Sequence, residues 1–221
     1  MWCVPTLTPE FIERMEDILD LYAKPYDAKE PVICFDEKSK QLLKDTRPIQ
    51  QTKPGKPRRR DHEYERNGTR NIFMAVEPKG GRRETTVTKR RTKRDFAREI
   101  TRIVNLPRYR AARRIHVVLD NLNTHFAASL IETFGRQKAK CLLRRIRFHY
   151  TPKHASWLNM AEIELSIVSR QALGGRIPDE DALTERIRRW RGQRNRAGAT
   201  IKWKFTKDGA RKIFKYDKTG N

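Results

Sequence analysis

Two aspartates close two short apolar runs, Val32-Ile33-Cys34-Phe35-Asp36 and Ile115-His116-Val117-Val118-Leu119-Asp120. Runs of that length read as buried strands, and ligand sites in open α/β sheets gather at the carboxyl ends of strands. If the two strands are neighbours, both carboxylates meet at one edge. A third acid from a nearby helix would complete a set of hard oxygen donors of the kind Mg²⁺ prefers. Two such ions can activate water and stabilise the leaving oxygen of a phosphodiester. Residues 157–173 read as that helix and carry Glu162 and Glu164. Two residues of helix turn the side chain by about 200°, so only one of them can face a given site. Glu162 lies beside the apolar stripe Leu158, Ala161, Leu165, Val168, at the rim of a core, and is the better placed by a small margin. Glu37, next in chain to Asp36, is a rival at the first position. A single aspartate at a strand end commonly serves as a turn or cap residue, so the pattern alone leaves the three-acid site open.

The elements that must position these acids can be read along the chain. Residues 9–23 form a stripe of Phe11, Met15, Ile18, Leu19 and Tyr22 at helical spacing, with Thr8 as cap and Pro9 in the first turn. After the first strand, residues 48–61 hold three prolines and a basic cluster, which predicts a loop. Residues 62–66 and 70–77 flank Asn67-Gly68-Thr69 and predict a hairpin. Residues 82–88 follow as a strand, 92–104 as a helix and 115–120 as the second acid-ended strand. Then come a helix at 124–134, a strand at 145–150, and helices at 157–173 and 179–192. Strands first, then strands alternating with helices, predict an α/β fold with a mixed sheet. The stretch 200–221 is basic and fits no pattern.

Composition bounds the partners. Lys and Arg number 50 against 27 Asp and Glu, a net charge of +23 over 221 residues. Such an excess repels itself unless a polyanion is near, and nucleic acid is the polyanion whose backbone such charge neutralises. The basic residues are spread along the chain rather than gathered on one amphipathic helix, which argues against a membrane surface. No apolar run of about 18 residues exists, and the N-terminus lacks the regions of a signal peptide. Cys3, Cys34 and Cys141 form no CxxC pair, and with the five histidines they show no zinc spacing; a reducing cytosol is expected and Cys34 reads as core. No Walker-type glycine loop is present.

Four segments carry a resemblance: VICFDEKSKQLL (32–43), VVLDNLNTH (117–125), FHYTPKHASWLNMAEIELSIVSRQAL (148–173) and RIPDEDALTERIRRW (176–190). They resemble the insertion-sequence 630 family of bacterial transposases, relatives of the mariner elements, with HYTPKHASWLNMAE the most specific stretch. The resemblance implies an RNase H-like mixed sheet flanked by helices, spanning 31–195. Residues 1–30 would be an N-terminal helix and linker, and 196–221 a basic tail. It implies a DDE triad of Asp36, Asp120 and Glu162 that holds two Mg²⁺ ions, or Mn²⁺ in their place, to cleave a DNA strand and transfer its 3′ end. Asp120 lies 84 residues after Asp36 and Glu162 lies 42 after Asp120. The second gap is longer than in the wider mariner group, and the insert ETFGRQKAKCLLRR (132–145) accounts for the surplus. Full-length members begin with helix-turn-helix units. Here a short helix precedes the first catalytic strand, which implies a separately encoded DNA-reading subunit or a truncated copy. The implied partners are the double-stranded DNA of element ends and target, and a second copy in a homodimer. The implied place is the cytoplasm, at the nucleoid.

The remaining candidates are phosphate contacts: Lys38, Arg58, Arg59, Arg60, Arg90, Arg91, His125, Lys153 and His154. Basic runs are ordinarily solvated faces; the overall charge favours DNA positioning for these. Trp157 could stack on a base, but packing is its expected role. Two rivals stand beside the transposase: an RNase H-like nuclease that cleaves without joining, and an inactive remnant that only binds DNA.

Overall fold

A computed structural model describes residues 7–120 and 126–216. Its centre is a sheet of order β3-β2-β1-β4-β5. The strands are β1 (Val32–Asp45), β2 (Tyr64–Glu77), β3 (Arg82–Thr88), β4 (Ile115–Leu119) and β5 (Ile146–Tyr150). β2 runs antiparallel to both β1 and β3, whereas β4 lies parallel to β1 and β5 parallel to β4. This is the expected mixed sheet.

Side chains alternate between two faces, and each face has its own core. One holds Cys34, Met74 and Val118 with helices α1 (Pro9–Ala23), α5 (Ala161–Gln171) and α6 (Glu180–Arg196). The other holds Ile33, Phe35, Phe73, Val117 and Leu119 under α2 (Lys93–Val104), α3 (Ala127–Phe134) and α4 (Arg136–Leu143). β4 is buried at every residue, as a parallel strand covered on both faces must be. Phe35 anchors the second core, its ring 5.6 Å from Phe73 and 5.7 Å from Phe96.

Local signals set the helix starts. The Thr8 hydroxyl accepts from Phe11 N at 3.1 Å, and Thr92 and Asp95 form a reciprocal capping box on α2. The insert at 132–145 contains α4, entered through Gly135 at φ 79°, with Ala139 and Leu142 buried. The basic stretch after 200 contains α7 (Lys207–Phe214), which returns to α1 through Arg211–Glu16 and Lys207–Asp20 ion pairs.

The hairpin expected at Asn67-Gly68 is not formed. β2 runs through it, and Gly68, at φ 80°, sits where the register with β1 slips: Gln41 faces Thr69 but Leu43 faces Arg66. The extra residue on β2 makes a bulge, and a glycine with positive φ suits a bulge as well as a turn. The true reversal is the Pro78–Gly81 turn between β2 and β3. Gly81 has φ 64°, and a Cβ there would stand 2.7 Å from the Gly198 carbonyl oxygen. Gly81→Ala is expected to cost about 2–4 kcal/mol in denaturant unfolding, from the left-handed backbone plus the clash.

A polar chain with two buried histidines ties α1 to the far edge of the sheet. His149 Nδ1 lies 2.5 Å from Asp17 Oδ2, and His149 Nε2 lies 2.9 Å from His116 Nδ1. With Asp17 accepting from His149 Nδ1, Nε2 accepts from His116. Burial, with His149, Lys24 and Arg147 nearby, lowers His116 to about 4 against the pull of Glu30. The unfolded chain therefore binds this proton near pH 6.5 and the native state only near 4. The contribution to stability is complete above about 6.5 and is lost as pH falls toward 4. His116→Asn keeps a donor but does not titrate, so its stability curve should be flatter across that window when urea midpoints are compared.

Candidate active site

The two aspartates are brought together by strand register. Cys34 and Val118 are direct partners in the parallel β1–β4 ladder and share a face. Two residues further along each strand stand Asp36 and Asp120, on that same face because side chains alternate with period two. Glu37 falls on the opposite face by the same rule. Its side chain is buried there and pairs with Arg91 at 3.6 Å, which removes it as a rival to Asp36.

α5 lies across this face against β1 and β2. Its two glutamates part as helix geometry requires. Glu164 is fully buried, held by Arg83 Nη2 and Arg194 Nη2, each 2.6 Å from its Oε1. Glu162 is exposed and stands at the first turn of the helix. Glu162 is near enough to Asp36 for its charge to bear on it. Burial, then the charges of Asp120 and Glu162, push the Asp36 carboxyl up to about 8, against the 2.8 Å hydrogen bond it accepts from Glu37 N. The first and second acids thus share a field with the third. Among the described residues no group of three or more His, Cys, Asp or Glu side chains stands close enough to hold a metal ion as they are placed. The carboxylates are electrostatic neighbours around an open site.

The donor chemistry fits divalent cations. Three carboxylates, one of them buried and raised by its neighbours, make a concentration of negative charge that a hard cation relieves.

Around the acids, the basic candidates are dispersed. Lys38 is exposed, two residues beyond Asp36 on the same strand face. Lys153 and His154 are exposed in the turn before α5, where His154 takes φ 63°, and Arg90 and Arg91 are exposed ahead of α2. Arg58 and Arg59 are exposed in the 46–63 loop, while Arg60 makes a two-point pair with Asp45 (2.8 and 2.7 Å), which also binds Arg176 at 2.7 Å. Arg60 therefore fastens the base of the loop. His125 lies outside the described residues. Trp157 packs edge-on against Phe205 at 5.5 Å, the packing role expected of it.

The family model of the DDE superfamily endonucleases matches residues 31–184, from the start of β1 into α6. The chain belongs to that family. Among solved structures, this DDE endonuclease is similar to a pre-cleavage Mos1 transpososome (15% identity, TM-score 0.57) and to a Mos1 mariner paired-end complex with Mn (16%, 0.55). It also resembles a Mos1 strand transfer complex (17%, 0.51). Each match covers 90% of this chain and 60–61% of the other, so the chain spans about three fifths of the Mos1 length. At such identities the likeness shows the fold, an RNase H-like sheet. No curated protein matches.

Sequence reasoning passed over two groups that the DDE endonuclease fold exposes. One is the buried Arg83–Glu164–Arg194 cluster, whose signal was an acid on the core side of a helix, where it needs a cation. The other is Asn159, buried completely at the entrance to α5. A polar residue just ahead of a helix start is its only sequence signal.

Proposed function

We propose that this chain is the catalytic part of a cut-and-paste transposase, of the insertion-sequence 630 type. The observation that carries this reading is that Asp36 and Asp120 lie just beyond the last β1–β4 pair, Cys34↔Val118, with Glu162 near enough for its charge to bear on Asp36. Asp36, Asp120 and Glu162 would hold two divalent ions, Mg²⁺ or Mn²⁺. When bound, such ions supply water activation and charge neutralisation at a phosphodiester.

The chain's own contribution is placement. β1 and β4 hold the first two carboxylates on a rigid ladder, and α5 brings the third. Cleavage and joining are both in-line displacements at phosphorus, so one site serves both steps. The net charge of +23 supplies backbone attraction to DNA. Lys38, Arg58, Arg59, Arg90, Arg91, Lys153 and His154 would position element and target duplexes, and His125 would share that role. A second copy would bridge the two element ends, and a separately encoded helix-turn-helix subunit would read their sequence. A protein acting on chromosomal DNA would sit at the nucleoid. No helix among the described residues is long and apolar enough to cross a membrane.

The test uses pre-cut duplexes with free 3′-hydroxyls, target plasmid and Mg²⁺ or Mn²⁺. Joined product is expected with the native chain and none with Asp120→Asn. Cleavage of uncut duplex with no joining would favour the RNase H-like nuclease instead. Salt-sensitive binding without product in either metal would leave only a DNA-binding remnant.

A further inference from the structure

The side chain of Asn159 joins the two elements that carry the first and third acids. It is 0% exposed. Its Nδ2 donates to the Phe35 carbonyl at 2.9 Å, on the residue immediately before Asp36. Its Oδ1 accepts from Ala161 N at 3.2 Å, on the residue immediately before Glu162, and its backbone oxygen accepts from Glu162 N at 3.1 Å. α5 has no side-chain cap at Met160, so Asn159 supplies that function from one position earlier. The Phe35 carbonyl lies just past Cys34↔Val118, the last paired residues of the β1–β4 ladder, while β1 stays paired with β2 through Phe35↔Ala75 and Asp36↔Met74.

We propose that Asn159 is a positioning residue: it locks the strand of Asp36 to the helix of Glu162 and so sets the spacing of the acids that bind the cations. The proposal rests on the reading of those acids as ligands. The chemistry calls for one donor and one acceptor on a short planar group, which asparagine has and leucine, with the same branched skeleton, lacks. A second brace acts on the same segment: the Tyr22 hydroxyl donates to the Leu158 carbonyl at 2.8 Å from α1. Residues that orient ligands in this way typically account for 10–100-fold in metal affinity when removed.

The experiment measures Mn²⁺ binding to the full chain by electron paramagnetic resonance of free Mn²⁺, alongside thermal unfolding in chelator. Asn159→Leu should weaken Mn²⁺ binding by about tenfold or more. Asn159→Ser can still cap α5 but is too short to reach Phe35, so it should fold and show a similar weakening even if the leucine variant does not fold. Leu165→Ala, a core truncation in the same helix, should lower the unfolding temperature and leave Mn²⁺ binding within about twofold, because a purely structural loss does not move the acids apart. Native Mn²⁺ affinity in both folded Asn159 variants overturns the lock. Equal weakening by Leu165→Ala does so too, since it reduces Asn159 to ordinary packing. If Asp36→Asn and Glu162→Gln also bind Mn²⁺ like the native chain, the three-acid reading falls and takes the lock with it; if they do not, only the lock has failed.

Discussion

Glu162→Gln should reduce DNA strand cleavage by about a thousandfold or more, on the order of 4 kcal/mol of transition-state stabilisation, with no loss of folded stability. The side chain is exposed at the first turn of α5 and supports no packing. Its influence on its surroundings is electrostatic: after burial and Asp120, its charge helps to raise Asp36. Glutamine preserves shape and reach but removes the anionic oxygen that a hard cation requires. The measurement is single-turnover cleavage of end-labelled duplex in Mg²⁺, with DNA retention and thermal unfolding recorded on the same preparation. Retained DNA with no product is the expected pattern, because the cations that face phosphate are on other residues. Cleavage within tenfold of native would remove Glu162 from the site.

How much of this was legible beforehand differs by element. Both apolar runs were readable as strands of an α/β sheet, but only β4 ends at its acid; β1 continues through Asp36 to Asp45 because it stays paired with β2, so Asp36 is the fifth of its 14 residues. Their adjacency and register were not readable: Cys34↔Val118 is a contact between residues far apart in sequence, which no local pattern encodes. The choice between Glu162 and Glu164 was half legible. Helical spacing said that they diverge; it did not say that Arg83 from β3 and Arg194 from α6 would be waiting for Glu164. The same limit hid Arg60, which a basic run marks as a DNA contact and tertiary pairing with Asp45 turns into an anchor. Asn67-Gly68 misled for a different reason. Positive φ at glycine is demanded by turns and bulges alike, and the sequence states the demand without stating which structure makes it. Asn159 was visible only as one letter of a motif. Its role depends on a carbonyl that lies 124 residues earlier in the chain.

Glu164→Gln should produce the opposite phenotype, a loss of about 3–5 kcal/mol in unfolding free energy. The carboxylate is fully buried between Arg83, itself 0% exposed, and Arg194. Arg83 is further committed: its backbone N donates to Asn195 Oδ1 at 2.8 Å, and its Nη1 donates to the Ala199 carbonyl. The cluster thus joins β3, α5, α6 and the chain that follows α6. A neutral amide leaves a buried guanidinium without its counter-charge, and that uncompensated cation is the source of the cost. Burial alone would raise the Glu164 carboxyl, but the hydrogen bonds and charges of Arg83 and Arg194 outweigh it and hold the group below its ordinary value. A depressed carboxylate stabilises the fold at and above the ordinary carboxylate range, and that contribution is lost as pH falls through the folded value. The native chain should therefore lose stability on acidification below about pH 4.5 more steeply than Glu164→Gln, so the gap between their urea midpoints narrows there. This acid limb lies below the window assigned to His116, so the two can be separated in one titration. Because α5 also carries Glu162, partial loosening of the cluster should reduce cleavage as well, but in proportion to unfolding and reversibly at low temperature. An E164Q protein as stable as the native chain would show that the two arginines find other partners and that the cluster does not fasten α5.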